Sequence, residues 1–489
     1  MGFLLYDLTF LIVFTILVVI FLYRKRKNLK REGILYLYRT KIGIKLINFV
    51  GGKYKRTLKV LSYLSVIVGF SLMIAMIYLL GKLVYIFIQY PAVVKAVKVP
   101  PLMPLIPYLP SIFKLSFLPP FYFTYWIIAI AIIAAGHEFS HGIFAKFNKI
   151  KIKSTGFGFL GPFLAAFVEP DEKQMNKKKI FPQLSILSAG SFANMVMAAI
   201  FFGIFLLFSI LTFTQAGATF DTYYYQPVDV SNITLVGNYS VSHLNASSLL
   251  TFIDNKKIEN NFFVAPPDGN NVNLTQINAN NQTFFISIDD LKTQLASEPE
   301  QVLLYNDAPA IKAGLNGVII ELNGIKIKNS NALSNVLAGL KPGASVTIKA
   351  KEDSSIFEYS FKLAENPQNS SKSFLGIASI ITQRSGVSGI FYSIITIFRE
   401  PGTSYQPRFD GNLVLFIYNL LWWIIIINVS VALVNMLPVG IFDGGRVFFL
   451  TMLALTKKEK TAKKLFAIAT YIILFAFLLL MLFWFLSLK

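Results

Sequence analysis

Apolar runs of bilayer-spanning length recur along the chain, and they restrict its architecture more than any other property. A lipid interior offers the backbone no hydrogen-bond partners, so a segment that crosses it must satisfy its own amides as a helix. Runs at residues 3–23, 60–81, 121–147, 185–212, 412–437 and 465–488 each approach the roughly 20 residues a crossing needs. With 54% of 489 residues hydrophobic, the composition excludes an ordinary soluble domain. The expected fold is a polytopic α-helical membrane protein of about six transmembrane helices, with polar sequence inserted between the fourth and the fifth.

The net charge of +21 could suggest nucleic acid, but the cations stand at the ends of apolar runs and form no single patch interleaved with aromatics. They read instead as topology signals, with no nucleic-acid partner. Arg24, Lys25, Arg26, Lys27, Lys30 and Arg31 follow the first run, which lacks a basic leader and a small-residue cleavage site. That run is therefore expected as a membrane helix ending in the cytoplasm, with Asp7 an interfacial residue near its outer end. Lys146, Lys149, Lys151 and Lys153 close the third run on the same side, and Lys457, Lys458, Lys460, Lys463 and Lys464 make a later cytoplasmic loop. Alternation then puts residues 214–410 outside a cell membrane that the chain crosses repeatedly. Sequons at Asn232, Asn238, Asn245, Asn273, Asn281 and Asn369 fall in that outer stretch.

Shorter segments carry their own expectations. Residues 34–58 mix apolar residues with lysine and suit a helix lying on the inner surface. Residues 91–120 are rich in proline and read as an outer loop. Gly156, Phe157, Gly158, Phe159, Leu160, Gly161, Pro162 and then Ala165, Ala166, Phe167, Val168 resemble short strands, a re-entrant β-hairpin held against protein or water. Residues 386–398 suit an interfacial helix. The resulting organisation is an N-terminal membrane region (1–120), a first core segment (121–213), an asparagine-rich outer region (214–300), a small sheet domain (301–385), a linker (386–410) and a second core segment (411–489).

Two of three histidines lie in His137-Glu138-Phe139-Ser140-His141, inside the third apolar run. At i and i+4 the imidazoles project from one helix face as metal ligands, and Glu138 beside them can take a proton from an attacking water. A catalytic zinc site uses three protein ligands, and the chain has no cysteine, so the third must be nitrogen or oxygen. With His243 expected outside, Asp443 fits: it follows Pro438 and precedes Gly444 and Gly445, which let backbones approach closely. A carboxylate in an apolar helix is costly unless it is used, which weighs against a structural reading of Glu138 or Asp443. Asn194 and Asn435 are candidates to hydrogen-bond a substrate backbone or oxyanion, or else to pack helices.

HEFSH, Gly190 with Asn194, and Asn435 with Pro438 and the Phe442-Asp443-Gly444 sequence together resemble the site-2 protease family of intramembrane zinc metalloproteases, over about residues 121–213 and 410–488. The resemblance implies zinc held by His137, His141 and Asp443, catalysis by Glu138, and substrate binding by Asn194 and Asn435. It also implies that residues 156–168 form a sheet pairing with an unwound single-pass membrane substrate, pre-cleaved by another protease in regulated proteolysis. Phe442 departs from the leucine common before Asp-Gly, and Ser191 from the proline that often follows the glycine; neither change removes a reacting group. Ala308 to Gly324, a helical stretch at 332–340, Lys341-Pro342-Gly343 and the alternating 346–350 have the order of a PDZ domain, with 373–377 as its carboxylate-binding loop. A PDZ-like insertion implies peptide binding by strand addition. Two other readings stay open: a membrane zinc protease of the prenyl-protein or quality-control type, which expects a glutamate as third ligand, and a catalytically silent PDZ-bearing scaffold.

Overall fold

The apolar runs form long helices whose ends differ from the runs by up to about eight residues, the second run being extended at both ends. A computed structural model describes residues 3–487 except 33–34, 91–99, 102, 114, 116–117, 161–162, 242–244, 257, 259–261, 265–271, 298–299, 353–354, 380–395 and 397–398. Its membrane unit contains α1 (Phe3–Lys25), α2 (Ile44–Lys53), α3 (Lys55–Gln89), α4 (Phe123–Phe147), α5 (Ile180–Thr212), α6 (Gly411–Asn435), α7 (Asp443–Thr456) and α8 (Glu459–Ser487). Among the described residues, six of these are long and apolar enough to cross a membrane, and α2 and α7 are not. This is a multi-pass membrane protein. The chain divides into two compact units, Met1–Ser209 with Asn412–Lys489, and Ile210–Gly411.

Helix α4 is packed on several sides, and glycines set the distances. A Cβ on Gly136 would lie 2.5 Å from the Met197 sulfur of α5, and one on Gly142 would lie 2.9 Å from Ile47 of α2. Bare backbone at those two points lets α5 and α2 close on α4. Ile47 and Gly51 are the buried positions of α2, whose other residues are at least partly exposed.

A four-stranded antiparallel sheet lies beside α4, in the order β1 (Leu29–Glu32), β2 (Leu35–Thr40), β3 (Ile152–Leu160), β4 (Phe163–Pro170). β3 and β4 make the hairpin expected from glycine and aromatic content, its turn at Gly161 and Pro162 lying outside the described residues. β1 and β2 were not expected: the segment read as a surface helix over 34–58 is a strand at 35–40, helix α2, and the first turn of α3. Strand wins over 35–40 because β3 presents an unpaired backbone edge that lipid could not satisfy. Register pairs Leu37 with Gly158 and Arg39 with Gly156. Arg39 Nε then reaches Glu169 Oε2 at 3.1 Å, and Thr155 donates to the Ile42 carbonyl at 2.7 Å.

Asp7 also departs from expectation. It is 1% exposed, and both carboxylate oxygens are filled. Oδ2 accepts from the Phe123 amide at 2.8 Å and the Tyr108 hydroxyl at 2.5 Å, while Oδ1 accepts from the Thr124 amide at 2.9 Å and its hydroxyl at 2.5 Å. The first amides of a helix have no intrahelical acceptor, and Tyr122 at the N-cap position supplies none from its side chain. Asp7 of α1 therefore caps α4 from outside that helix.

The second unit is β-rich. Within it β5 (Phe213–Ala218) precedes a sheet formed from β6 (Tyr225–Asp229), β7 (Ile233–Val236), β8 (Tyr239–Ser240), β9 (Val272–Ala279), β10 (Gln282–Ile286) and β11 (Gln301–Asn306), in the order β6-β11-β10-β9-β7-β8, with Phe262–Val264 also pairing with β9. The asparagine-rich stretch thus folds around an apolar core that includes Val236, Leu249, Ile277 and Leu304. A further sheet has the order β14-β13-β12-β5-β15, from β12 (Val318–Leu322), β13 (Ser345–Glu352), β14 (Ser355–Lys362) and β15 (Thr403–Pro407). Asn323 and Gly324 turn β12 back with φ of 49° and 79°, the two-residue hairpin geometry that favours Asn-Gly. Helix Ser330–Ala338 follows, capped by Asn329, which accepts from the Ala332 amide at 2.8 Å. His243 and the expected helix at 386–398, Thr396 and the helix's neighbours apart, lie outside the described residues.

Candidate metal centre

Three side chains from two helices converge on one point. α4 supplies His137 and His141 one turn apart, and α7 supplies Asp443 as its first residue. Asp443 was expected near the inner end of the fifth crossing. That crossing ends at Asn435, a turn follows through Pro438, and the aspartate opens the next helix instead. Gly444 packs where a Cβ would overlap the Met436 carbonyl, and Gly445 is similarly pressed on Val439. Side chains at either position would push Asp443 away from the histidines.

The donor atoms form a nearly equilateral triangle. His137 Nε2 and His141 Nε2 are 3.1 Å apart, and Asp443 Oδ2 stands 3.5 Å from the first and 3.3 Å from the second. Tetrahedral zinc with nitrogen and oxygen donors at about 2.0–2.2 Å requires donors roughly 3.3–3.5 Å from one another. The side chains therefore already stand at coordination spacing. The space inside the triangle is also kept clear, since a Cβ on Gly190 of α5 would lie 2.5 Å from both Nε2 atoms. Among the described residues, this is the cluster of histidines and carboxylates that could hold a metal ion.

Outer partners orient the imidazoles. His141 Nδ1 lies 2.7 Å from the Ile186 carbonyl; a carbonyl only accepts, so Nδ1 carries the proton and Nε2 is left as the lone pair. Asn194, fully buried on α5, places its amide nitrogen 3.1 Å from His137 Nδ1, on the side of the ring away from the triangle. Asn435 approaches from the other side, with Nδ2 3.4 Å from His137 Nε2.

Glu138 points off the triangle toward β4, where Oε2 accepts from the Val168 amide at 3.0 Å. Among the described residues β4 is the last strand of its sheet, and this amide stands on the edge away from β3. Glu138 lies at the junction of two spaces. One is an apolar groove of about 190 Å³ between α4 (Ile127, Ile130, Ala134) and β4 (Leu164 to Val168). The other is a wider cleft of about 780 Å³ lined by His141, Asp443 and charged residues including Lys30, Arg39, Lys153 and Arg446. Exposure of the three side chains rises from 8% for His137 through 12% for His141 to 26% for Asp443, so the site opens toward this charged cleft.

Comparison with known proteins decides the family. The sequence matches peptidase family M50 over residues 125–481. The chain belongs to peptidase family M50, the site-2 protease family. M50 peptidases are zinc-dependent metalloproteases, and membership supports a membrane zinc metalloprotease as the class of activity. A Clostridium perfringens protein named as a candidate zinc metalloprotease is 21% identical over 379 residues, 71% of this chain and 93% of its own length. An uncharacterized protein of Methanocaldococcus jannaschii is 33% identical over 195 residues, 38% of this chain; the match spans 48% of that relative's length. The M50 match begins at residue 125, so α1, α2, α3, β1 and β2 lie outside it.

Sequence reasoning missed three features of this site. The Val168 amide on Glu138 has no side-chain signature. The role of Gly190 as the residue that keeps the triangle open depends on how α5 faces α4. Ile186 contributes only its carbonyl, which any residue type would supply.

Proposed function

We propose that this M50 peptidase hydrolyses a peptide bond within or near the transmembrane segment of a single-pass membrane protein, toward the cytoplasmic face, in regulated intramembrane proteolysis. The observation that carries this reading is the position of Glu138, next to the His137–His141–Asp443 triangle and between an apolar groove and a charged cleft. A lipid-facing substrate and water need separate routes to one atom, and these two spaces offer them.

A transmembrane helix hides its amides in i to i−4 hydrogen bonds, so the scissile bond must be pulled into extended form before attack. The edge of β4 away from β3 can hold that form by strand addition, beside Glu138. Glu138 takes the proton of the attacking water and returns it to the leaving amine. The Val168 amide fixes the direction of its carboxylate. Asn435, beside His137 Nε2, is placed to donate to the carbonyl oxygen as charge develops there. His137, His141 and Asp443 would hold zinc, whose positive charge would polarise the carbonyl and make water acidic enough to react at neutral pH. Residues 301–385, read as an outer PDZ-like domain with 373–377 as its carboxylate-binding loop, select shortened substrates.

The test is cleavage of a model transmembrane substrate by purified protein with zinc measured in parallel. Glu138→Gln is expected to keep one zinc per chain and to lose proteolysis. Undiminished cleavage by this variant would overturn the mechanism.

A further inference from the structure

Resting on the zinc-site reading above, we propose that Asn194 is a positioning residue for the metal: its side-chain oxygen accepts the Nδ1 proton of His137 and so presents Nε2 to zinc. This departs from the substrate-binding role that family resemblance implies for the same residue.

Proton counting on one ring carries the argument. As placed, the amide nitrogen of Asn194 lies 3.1 Å from His137 Nδ1 and that of Asn435 lies 3.4 Å from Nε2. A neutral imidazole has one N–H and one lone pair, so it cannot accept from both. One amide must present its oxygen. The two ends of an asparagine amide have nearly the same shape, and hydrogen bonding alone tells them apart. Nε2 belongs to the donor triangle, 3.1 Å from His141 Nε2 and 3.5 Å from Asp443 Oδ2, so its lone pair is the one a metal uses. Nδ1 must then carry the proton, and the acceptor facing it is Asn194.

Burial leaves Asn194 no other work. It is 0% exposed, on the far side of the ring from the groove and the cleft, and lines neither. Its oxygen has no hydrogen-bond partner in the present rotamer. A half-turn of the amide puts that oxygen on Nδ1 without moving the helix. The two histidines then match, each donating from Nδ1 to an oxygen of α5, Ile186 through its carbonyl and Asn194 through its side chain. α5 thereby sets both tautomers and both ring planes. Such outer partners change metal affinity by about 10–100-fold.

The test uses full-length protein in detergent, with zinc as the probe and competition against a chelator as the readout. Asn194→Leu, which keeps volume and removes the acceptor, is expected to bind zinc about 10–100-fold more weakly. Asn194→Asp, which presents only acceptors, is expected to stay within about tenfold of the native affinity on the same scale. The chelated forms of all three should melt at the same temperature, since a packing role would lower the melting of Asn194→Leu with or without zinc. Native affinity in Asn194→Leu overturns the proposal, as does an equal loss in both variants. A native protein that takes up no zinc overturns the metal-site reading as well, so the two failures are told apart.

Discussion

Gly190→Ala separates the zinc site from the fold more cleanly than removal of a ligand. The new methyl carbon would lie 2.5 Å from Nε2 of His137 and of His141, against about 3.4 Å for an ordinary contact. One or both rings must move by about 0.9 Å, whereas metal–ligand distances tolerate only about 0.2 Å. Loss of an outer partner alone costs about 10–100-fold in affinity, and displacing the donors themselves exceeds that. The expected result is zinc binding weaker by at least about 100-fold, roughly 2.7 kcal/mol. Alanine is favoured over glycine in a helix by about 1 kcal/mol, which offsets part of the about 1–3 kcal/mol that overpacking costs, so the chelated variant should lose no more than about 2 kcal/mol of stability. Gly203→Ala on the same helix, where a Cβ meets nothing within 4 Å, is the control and should keep zinc and activity. Zinc is measured by chelator competition and stability by thermal unfolding in detergent. One zinc per chain at native affinity in Gly190→Ala would refute the inference that this glycine keeps the coordination space open.

Two further perturbations address α4 and the base. Asp7→Ala strands the Phe123 and Thr124 amides, and an unsatisfied buried amide costs about 1–3 kcal/mol; a loss of about 2–4 kcal/mol should appear in thermal unfolding, with Asp7→Asn intermediate. An unchanged melting temperature in Asp7→Ala would show that the cap contributes nothing. Val168→Pro deletes the amide that orients Glu138, on the edge away from β3, where proline is tolerated. A hydrogen bond to a charged group is worth about 1.5–3 kcal/mol, so kcat should fall by roughly 10–150-fold while zinc content holds. Native kcat in a zinc-loaded Val168→Pro would rule out the orienting role.

Local pattern made much of this protein readable. Lipid tolerates so few backbone solutions that apolar runs identify the crossing helices, and the i, i+4 spacing alone puts His137 and His141 on one face. Gly156 and Gly158 among aromatics marked the hairpin because glycine and bulky residues alternate where strands pair closely. Paired glycines after Asp443 marked close backbone approach, and Gly444 does lie against the Met436 carbonyl. The strand at 35–40 was hidden because its stability comes from pairing with β3, more than a hundred residues away along the chain.

Residue types and their spacing state which groups must escape lipid and which can bind a metal, because desolvation and helix periodicity act within a few residues. They do not state which group satisfies which. Asp7 looked like an interfacial carboxylate until α1 was seen to meet the open end of α4. Asn194 reads from sequence as a candidate substrate ligand or a helix-packing residue, and α5 sets its amide beside His137 Nδ1. In both cases the side chain's own chemistry is unchanged, and the packing of helices distant in sequence decides which donor or acceptor it meets.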